Sequence, residues 1–139
     1  MKNGLVFVWL VVMAVLLGVD RASAQEGTSA EKTIWDGVYT SAQADRGMAL
    51  ASQSCSGCHT PADWTGPNFI GMWSGGSISG LYATLSTTMP ADNPGLLSPR
   101  EYSDIMAYML RLNEVPTGET ELPSSDADLR SITVTIHHR

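Results

Sequence analysis

The sequence predicts an all-α fold of few helices, and three observations predict it. Ser98-Pro99-Arg100-Glu101 opens a capped amphipathic stretch running to about Asn113. Upstream, Ala44, Gly47, Met48, Ala51 and Cys55 recur on one face at helical spacing. Between these two helices the chain is rich in Gly and Pro and holds the motif Cys55-Ser56-Gly57-Cys58-His59.

The first segment stands apart from that domain. Lys2 supplies a short positive region, Leu5 to Val19 is almost wholly apolar, and Ala22-Ser23-Ala24 has the small-x-small form that signal peptidase cuts. The apolar run is short for a spanning helix. Residues 1–24 are expected to be a signal peptide, cleaved after Ala24, with no membrane span afterwards; an uncleaved N-terminal anchor is the alternative. Removing Lys2, Arg21 and Asp20 moves the formal charge from −6 to −7. That charge argues against nucleic acid and anionic lipid as partners. It can steer the protein to a basic patch on another protein, or simply keep it soluble.

Residues 25–39 read as an N-terminal arm. Gln25 to Thr33 is a polar leader, and Ile34-Trp35-Asp36-Gly37-Val38-Tyr39 is a compact apolar patch with a Gly turn. A domain of residues 40–113 follows. Thr40 to Ser54 is its first helix, with Thr40 and Gln43 at capping-box spacing, so that the Gln43 side chain reaches back. Its face of small residues suits a close crossing with another helix, and Gly47 calls for a packing reason.

Cys55-Ser56-Gly57-Cys58-His59 is the attachment signature for a c-type haem. Two thiols two residues apart form thioethers with two vinyl groups, and the adjacent imidazole ligates iron from the proximal side. Ser56 and Gly57 are small enough for a tight turn, and Gly57 tolerates an unusual φ. A redox dithiol lacks the strand-helix-strand context it needs. Structural zinc lacks a fourth ligand at the usual spacing, and a disulfide would close a small, strained loop. Covalent attachment takes place outside the bacterial cytoplasm, so motif and leader together imply a periplasmic protein.

Thr60 to Gly80 reads as loop, with Trp64, Phe69, Ile70, Met72 and Trp73 as core or pocket wall. Pro67 is a candidate to orient His59, its carbonyl accepting from the second ring N–H. Leu81 to Thr87 reads as a short helix, ending at Thr88-Met89-Pro90. Met89 lies 30 residues after His59 in a loop able to fold back. A thioether favours reduced iron and raises the potential, and Pro90 stiffens the loop that carries it. Met72 is its rival, while Met48, Met106 and Met109 read as ordinary core. The last helix is capped by Ser98 and Glu101, with Tyr102, Ile105, Met106, Met109 and Leu110 as its stripe. Residues 114–139 read as a tail. Ile132 to Ile136 alternates as a short strand does, but has no evident partner, so it is either an arm laid on the domain or disordered. His137 and His138 are a weak candidate for metal.

The order of helix, CxxCH, Gly66-Pro67, Met89-Pro90 and a final helix with Ala107-Tyr108 resembles the class I cytochromes c over about residues 40–113. The resemblance implies one covalent haem c, held by Cys55 and Cys58 and ligated by His59 and Met89, with Pro67 supporting His59. It pairs Gly47 with Tyr108 where the first and last helices cross. Trp35 to Thr40, Thr87 to Pro90 and Asn93-Pro94-Gly95 further resemble small periplasmic cytochromes and cytochrome domains linked to quinoprotein (PQQ) alcohol dehydrogenases. Trp73 is then a candidate contact for a haem propionate.

The expected function is electron transfer by an iron centre cycling between ferric and ferrous states, not enzymatic catalysis. The implied redox partners are a PQQ-dependent alcohol dehydrogenase as donor and an oxidase as acceptor. Two alternatives are a haem-based sensor of small ligands, in which Met89 is displaced, and a haem subunit of a larger dehydrogenase complex. In the second case the Ile34–Tyr39 and Ile132–Ile136 segments would be docking elements.

Overall fold

The computed structural model describes residues 31–136. The signal-peptide reading, the start of the polar leader, and His137 and His138 lie outside the described residues.

Among the described residues the order is β1 (Lys32–Thr33), α1 (Ser41–Ser54), a 3-10 turn (Pro61–Trp64), α2 (Pro67–Trp73), α3 (Ser79–Thr88), α4 (Pro99–Leu112), α5 (Asp126–Leu129) and β2 (Ile132–Thr133). The protein is thus all-α apart from one two-stranded ribbon. No helix among the described residues is long and apolar enough to cross a membrane.

Local chemistry explains the boundaries. Ser98 caps α4 by accepting from the Glu101 amide, and Glu101 returns a bond to the Ser98 N–H (2.7 Å) with Pro99 at the first helical position. Thr40 caps α1 by accepting from the Gln43 N–H at 3.1 Å. The other half of the expected capping box is not made. The Gln43 side chain is buried and holds the Leu122 backbone with both ends, donating to its carbonyl (3.0 Å) and accepting from its N–H (2.7 Å). A buried peptide group from the tail needs both partners, whereas an exposed helix N-terminus has water. The stretch expected as loop from Thr60 to Gly80 contains a 3-10 turn and α2. Thr60-Pro61 with Asp63, and Gly66-Pro67, are helix starts as well as turn signals.

α1 and α4 form the most extensive helix pair. Gly47 is where they meet: a Cβ built there would lie 1.8 Å from the Asp104 carbonyl oxygen and 3.0 Å from the Ile105 nitrogen. The close approach is therefore backbone on backbone, one turn before Tyr108. Beside it, Arg46 reaches the buried Asp104 with two bonds of 2.9 Å and also bridges to Glu121 at 2.8 Å. Met48, expected inward, is 47 % exposed, and its sulfur accepts from Arg111 at 3.6 Å.

The tail is an arm laid on the domain. β2 pairs in parallel with β1, Lys32 opposite Ile132 and Thr33 opposite Thr133. Its other edge holds the segment leading into α3: Ile78 N–H donates to the Ile132 carbonyl (2.9 Å) and Gly75 N–H to the Val134 carbonyl (2.9 Å). Ile34, Tyr39, Leu122, Leu129, Ile132 and Val134 are all buried in one core with α4. Gly37 and Gly118 permit the tightest crossing of arm and tail, since a Cβ on Gly118 would sit 1.9 Å from the Gly37 oxygen. The strand lacked a partner on paper because its partner lies a hundred residues away.

Candidate functional site

The helices leave a cavity of about 670 Å³, bordered by the end of α1, the following turn, α2, α3, the Met89–Leu97 segment and α4. Pockets for cofactors typically measure about 300–1,000 Å³. Cys55, Cys58, His59 and Met89 all line it. Trp64, Phe69, Leu81, Leu85, Leu97, Ile105 and Met109 supply a largely apolar wall.

The attachment motif is an extension of α1. The Cys55 N–H donates to the Ala51 carbonyl, and the Cys58 and His59 N–H groups both donate to the Cys55 carbonyl, at 3.1 and 2.9 Å. This turn places two thiols and an imidazole on one wall without a left-handed residue, so the expected freedom of φ at Gly57 is not used. Gly57 also lines the cavity, and a Cβ there would meet no protein atom within 4 Å. Both thiols are free, Cys55 half-buried and Cys58 exposed. Burial pushes the Cys55 thiol pKa up. Among the described residues no three His, Cys, Asp or Glu side chains gather into a metal-holding group.

His59 packs against Trp64, with ring centroids 5.6 Å apart and planes at 41°. Pro67 is not in the wall; it is the exposed first residue of α2, and no hydrogen bond joins the His59 ring to its carbonyl. A carbonyl in the first turn of a helix points along the axis toward the amide four residues on. The support on this side comes instead from Asn113, which sequence reasoning used only as a helix end. Its amide nitrogen donates to the Trp64 and Met109 carbonyls (both 2.7 Å), and its oxygen accepts from the Gly66 N–H at 2.9 Å. One side chain thus fastens the His59–Trp64 loop to the end of α4. Asn113→Ala is expected to cost about 1 kcal/mol, from two part-buried carbonyl bonds and one exposed amide bond lost together. Denaturant unfolding measures it, and a change below about 0.5 kcal/mol would mean that water replaces all three bonds.

Met89, also a lining residue, caps α3 and donates its N–H to the Leu85 carbonyl at 3.0 Å. The Met89–Pro90 peptide is cis. Met72, the rival ligand, is 73 % exposed and is not a lining residue. Met109, read as core, is buried and does reach the wall. Trp73 also lines the cavity, and its indole nitrogen is buried without a hydrogen-bond partner. A buried N–H is seldom left unpaired, so this donor fits a cavity whose contents present an acceptor. Paired thiols, an imidazole, a thioether, an apolar wall and one waiting donor suit a covalently held haem.

A protein-family comparison finds the same thing. Residues 42–109 match the family described as cytochrome c oxidase, cbb3-type, subunit III, a span that contains all five candidate site residues. Residues 42–109 thus carry a class I c-type cytochrome domain. No curated protein and no solved structure matches it. A cytochrome domain of this type binds haem c covalently, and Cys55 and Cys58 stand at the spacing that attachment requires. Such domains are typically electron carriers that act on redox protein partners. In this cytochrome the match leaves out the arm and the whole tail, yet the Ile132–Val134 stretch braces the Gly75–Ile78 link that connects Trp73 to the Met89-bearing helix.

Proposed function

We propose that this cytochrome is a periplasmic mono-haem electron carrier, taking electrons from a quinoprotein (PQQ) alcohol dehydrogenase and passing them toward a terminal oxidase. The observation that carries the electron-transfer reading is the cavity with His59 on one wall and Met89 on another, both within an apolar enclosure. Haem bound there supplies a one-electron Fe(III)/Fe(II) couple. Cys55 and Cys58 would hold it, His59 and Met89 would ligate its iron, and the apolar wall would disfavour the extra positive charge of the ferric state. The cavity wall holds no carboxylate pair for acid–base chemistry: Asp92 is its only carboxylate among the described residues.

Export through residues 1–24 supports the periplasmic reading, and the loops resembling those of dehydrogenase-linked cytochromes support the donor. Charge placement supports a basic docking partner. From residue 47 to residue 99 the chain has Asp63 and Asp92 but no Lys or Arg. Mixing the oxidised cytochrome with a quinoprotein alcohol dehydrogenase and its alcohol, and following haem absorbance across a salt series, tests this. Fast reduction that slows as salt rises is expected. Absence of reduction, with a haem that dithionite still reduces, would remove the dehydrogenase as donor.

A haem subunit of a larger complex is a second reading, favoured by the matching family's description as an oxidase subunit. Against it, the two segments that would serve as docking elements are spent on each other and on the core: Ile34, Tyr39, Ile132 and Val134 are buried within the chain itself.

A further inference from the structure

Met89 is tied to the buried scaffold by a side chain from another helix. The Tyr102 hydroxyl, on α4, donates to the Met89 carbonyl at 2.6 Å. We propose that Tyr102 is a positioning residue, whose hydroxyl controls how often the Met89 thioether leaves the iron; this rests on the reading of Met89 as an axial ligand.

The surroundings make this bond matter. Beyond Met89 the chain runs through an exposed turn, Ala91 to Leu96. The Met89 carbonyl has one other partner, the Gly95 N–H of that same turn, at a long 3.4 Å. Tyr102 itself is 3 % exposed, lines the cavity, and is fixed edge-on against Tyr82 with centroids 6.3 Å apart. It stands on the first turn of α4, directly after the Ser98 cap and one helical stretch before the Gly47 crossing. The hydroxyl therefore transfers the rigidity of the most buried helix to a segment that otherwise faces water. A thioether is a weak ligand, so a single hydrogen bond is a sizeable part of what keeps it in place.

A competing ligand reads that balance directly. Imidazole binds ferric iron only when the sixth position is vacated, so its apparent affinity scales with the fraction of molecules in which the thioether is off. In the haem-loaded cytochrome, Tyr102→Phe keeps the ring and removes the hydroxyl. It is expected to tighten imidazole binding by roughly three- to tenfold, the effect of losing one hydrogen bond. Tyr82→Phe, which keeps the Tyr102–Met89 bond, is expected to leave the affinity at the parent value. Met89→Ala sets the uncontested limit. If Met89→Ala binds imidazole tightly while Tyr102→Phe matches the parent, the positioning role is overturned and the ligand reading stands. If Met89→Ala also matches the parent, the ligand reading has failed and takes this one with it. Equal tightening by both tyrosine variants would assign the effect to loss of any hydroxyl from the tyrosine pair and not to the Tyr102–Met89 bond, and would equally overturn the positioning role.

Discussion

Met89→Ala is expected to leave haem covalently attached, open the sixth position and lower the reduction potential. Cys55 and Cys58 belong to the motif that follows α1, a segment separate from Met89, and are untouched by the change, so attachment survives. Losing a ligand that prefers ferrous iron moves the potential down by at least about 59 mV, the equivalent of a tenfold change in a one-electron equilibrium. The ferric spectrum should turn high-spin and lose its sulfur-to-iron charge-transfer band. Potentiometric titration and absorption spectroscopy on the same sample read both effects. An unchanged potential and spin state would pass the ligand role to Met109, the other thioether in the cavity wall.

Gly47→Ala is expected to be the most damaging single methyl group in the chain. Overpacking a core costs about 1–3 kcal/mol when side chains can shift. Here the added carbon meets backbone, 1.8 Å from the Asp104 oxygen and 2.4 Å from its carbonyl carbon, so no rotamer relieves it. The two helices must separate, which disturbs the Arg46–Asp104 pair beside the contact and the cavity wall built on α4. Alanine's better helix propensity returns only about 1 kcal/mol. A loss of about 3 kcal/mol or more is expected in denaturant unfolding of the haem-loaded protein. A loss below about 1 kcal/mol would mean that the crossing is looser than the backbone positions imply.

Much of the site could be read in one dimension because its chemistry is local. Two thiols and an imidazole within five residues act as a unit, and the turn continuing α1 is enough to present them together. Caps are local too: Ser98 and Glu101 define the start of α4 from residues three apart. Met89 is preferred to Met72 on its position, the adjacent Pro90 and the family resemblance; Met89 lines the cavity and Met72 does not. Gln43 shows where that logic fails. Its spacing from Thr40 announces a capping box, yet its amide is taken by the backbone of Leu122, 79 residues away.

What the order of residues determined alone, then, is the covalent anchor, the limits of the first and last helices of the domain and the all-α class, because each depends on groups within a few positions of one another. The partnership of arm and tail, the role of Asn113 in fastening the His59 side and the bond from Tyr102 to Met89 were decided only when the chain folded. Each joins a side chain or strand to backbone that may lie anywhere in the sequence, and a backbone carbonyl looks the same at every position. Hydrogen bonds to the main chain leave no mark in composition or spacing; they become visible when tertiary packing brings one particular carbonyl within 2.6 Å of one particular hydroxyl.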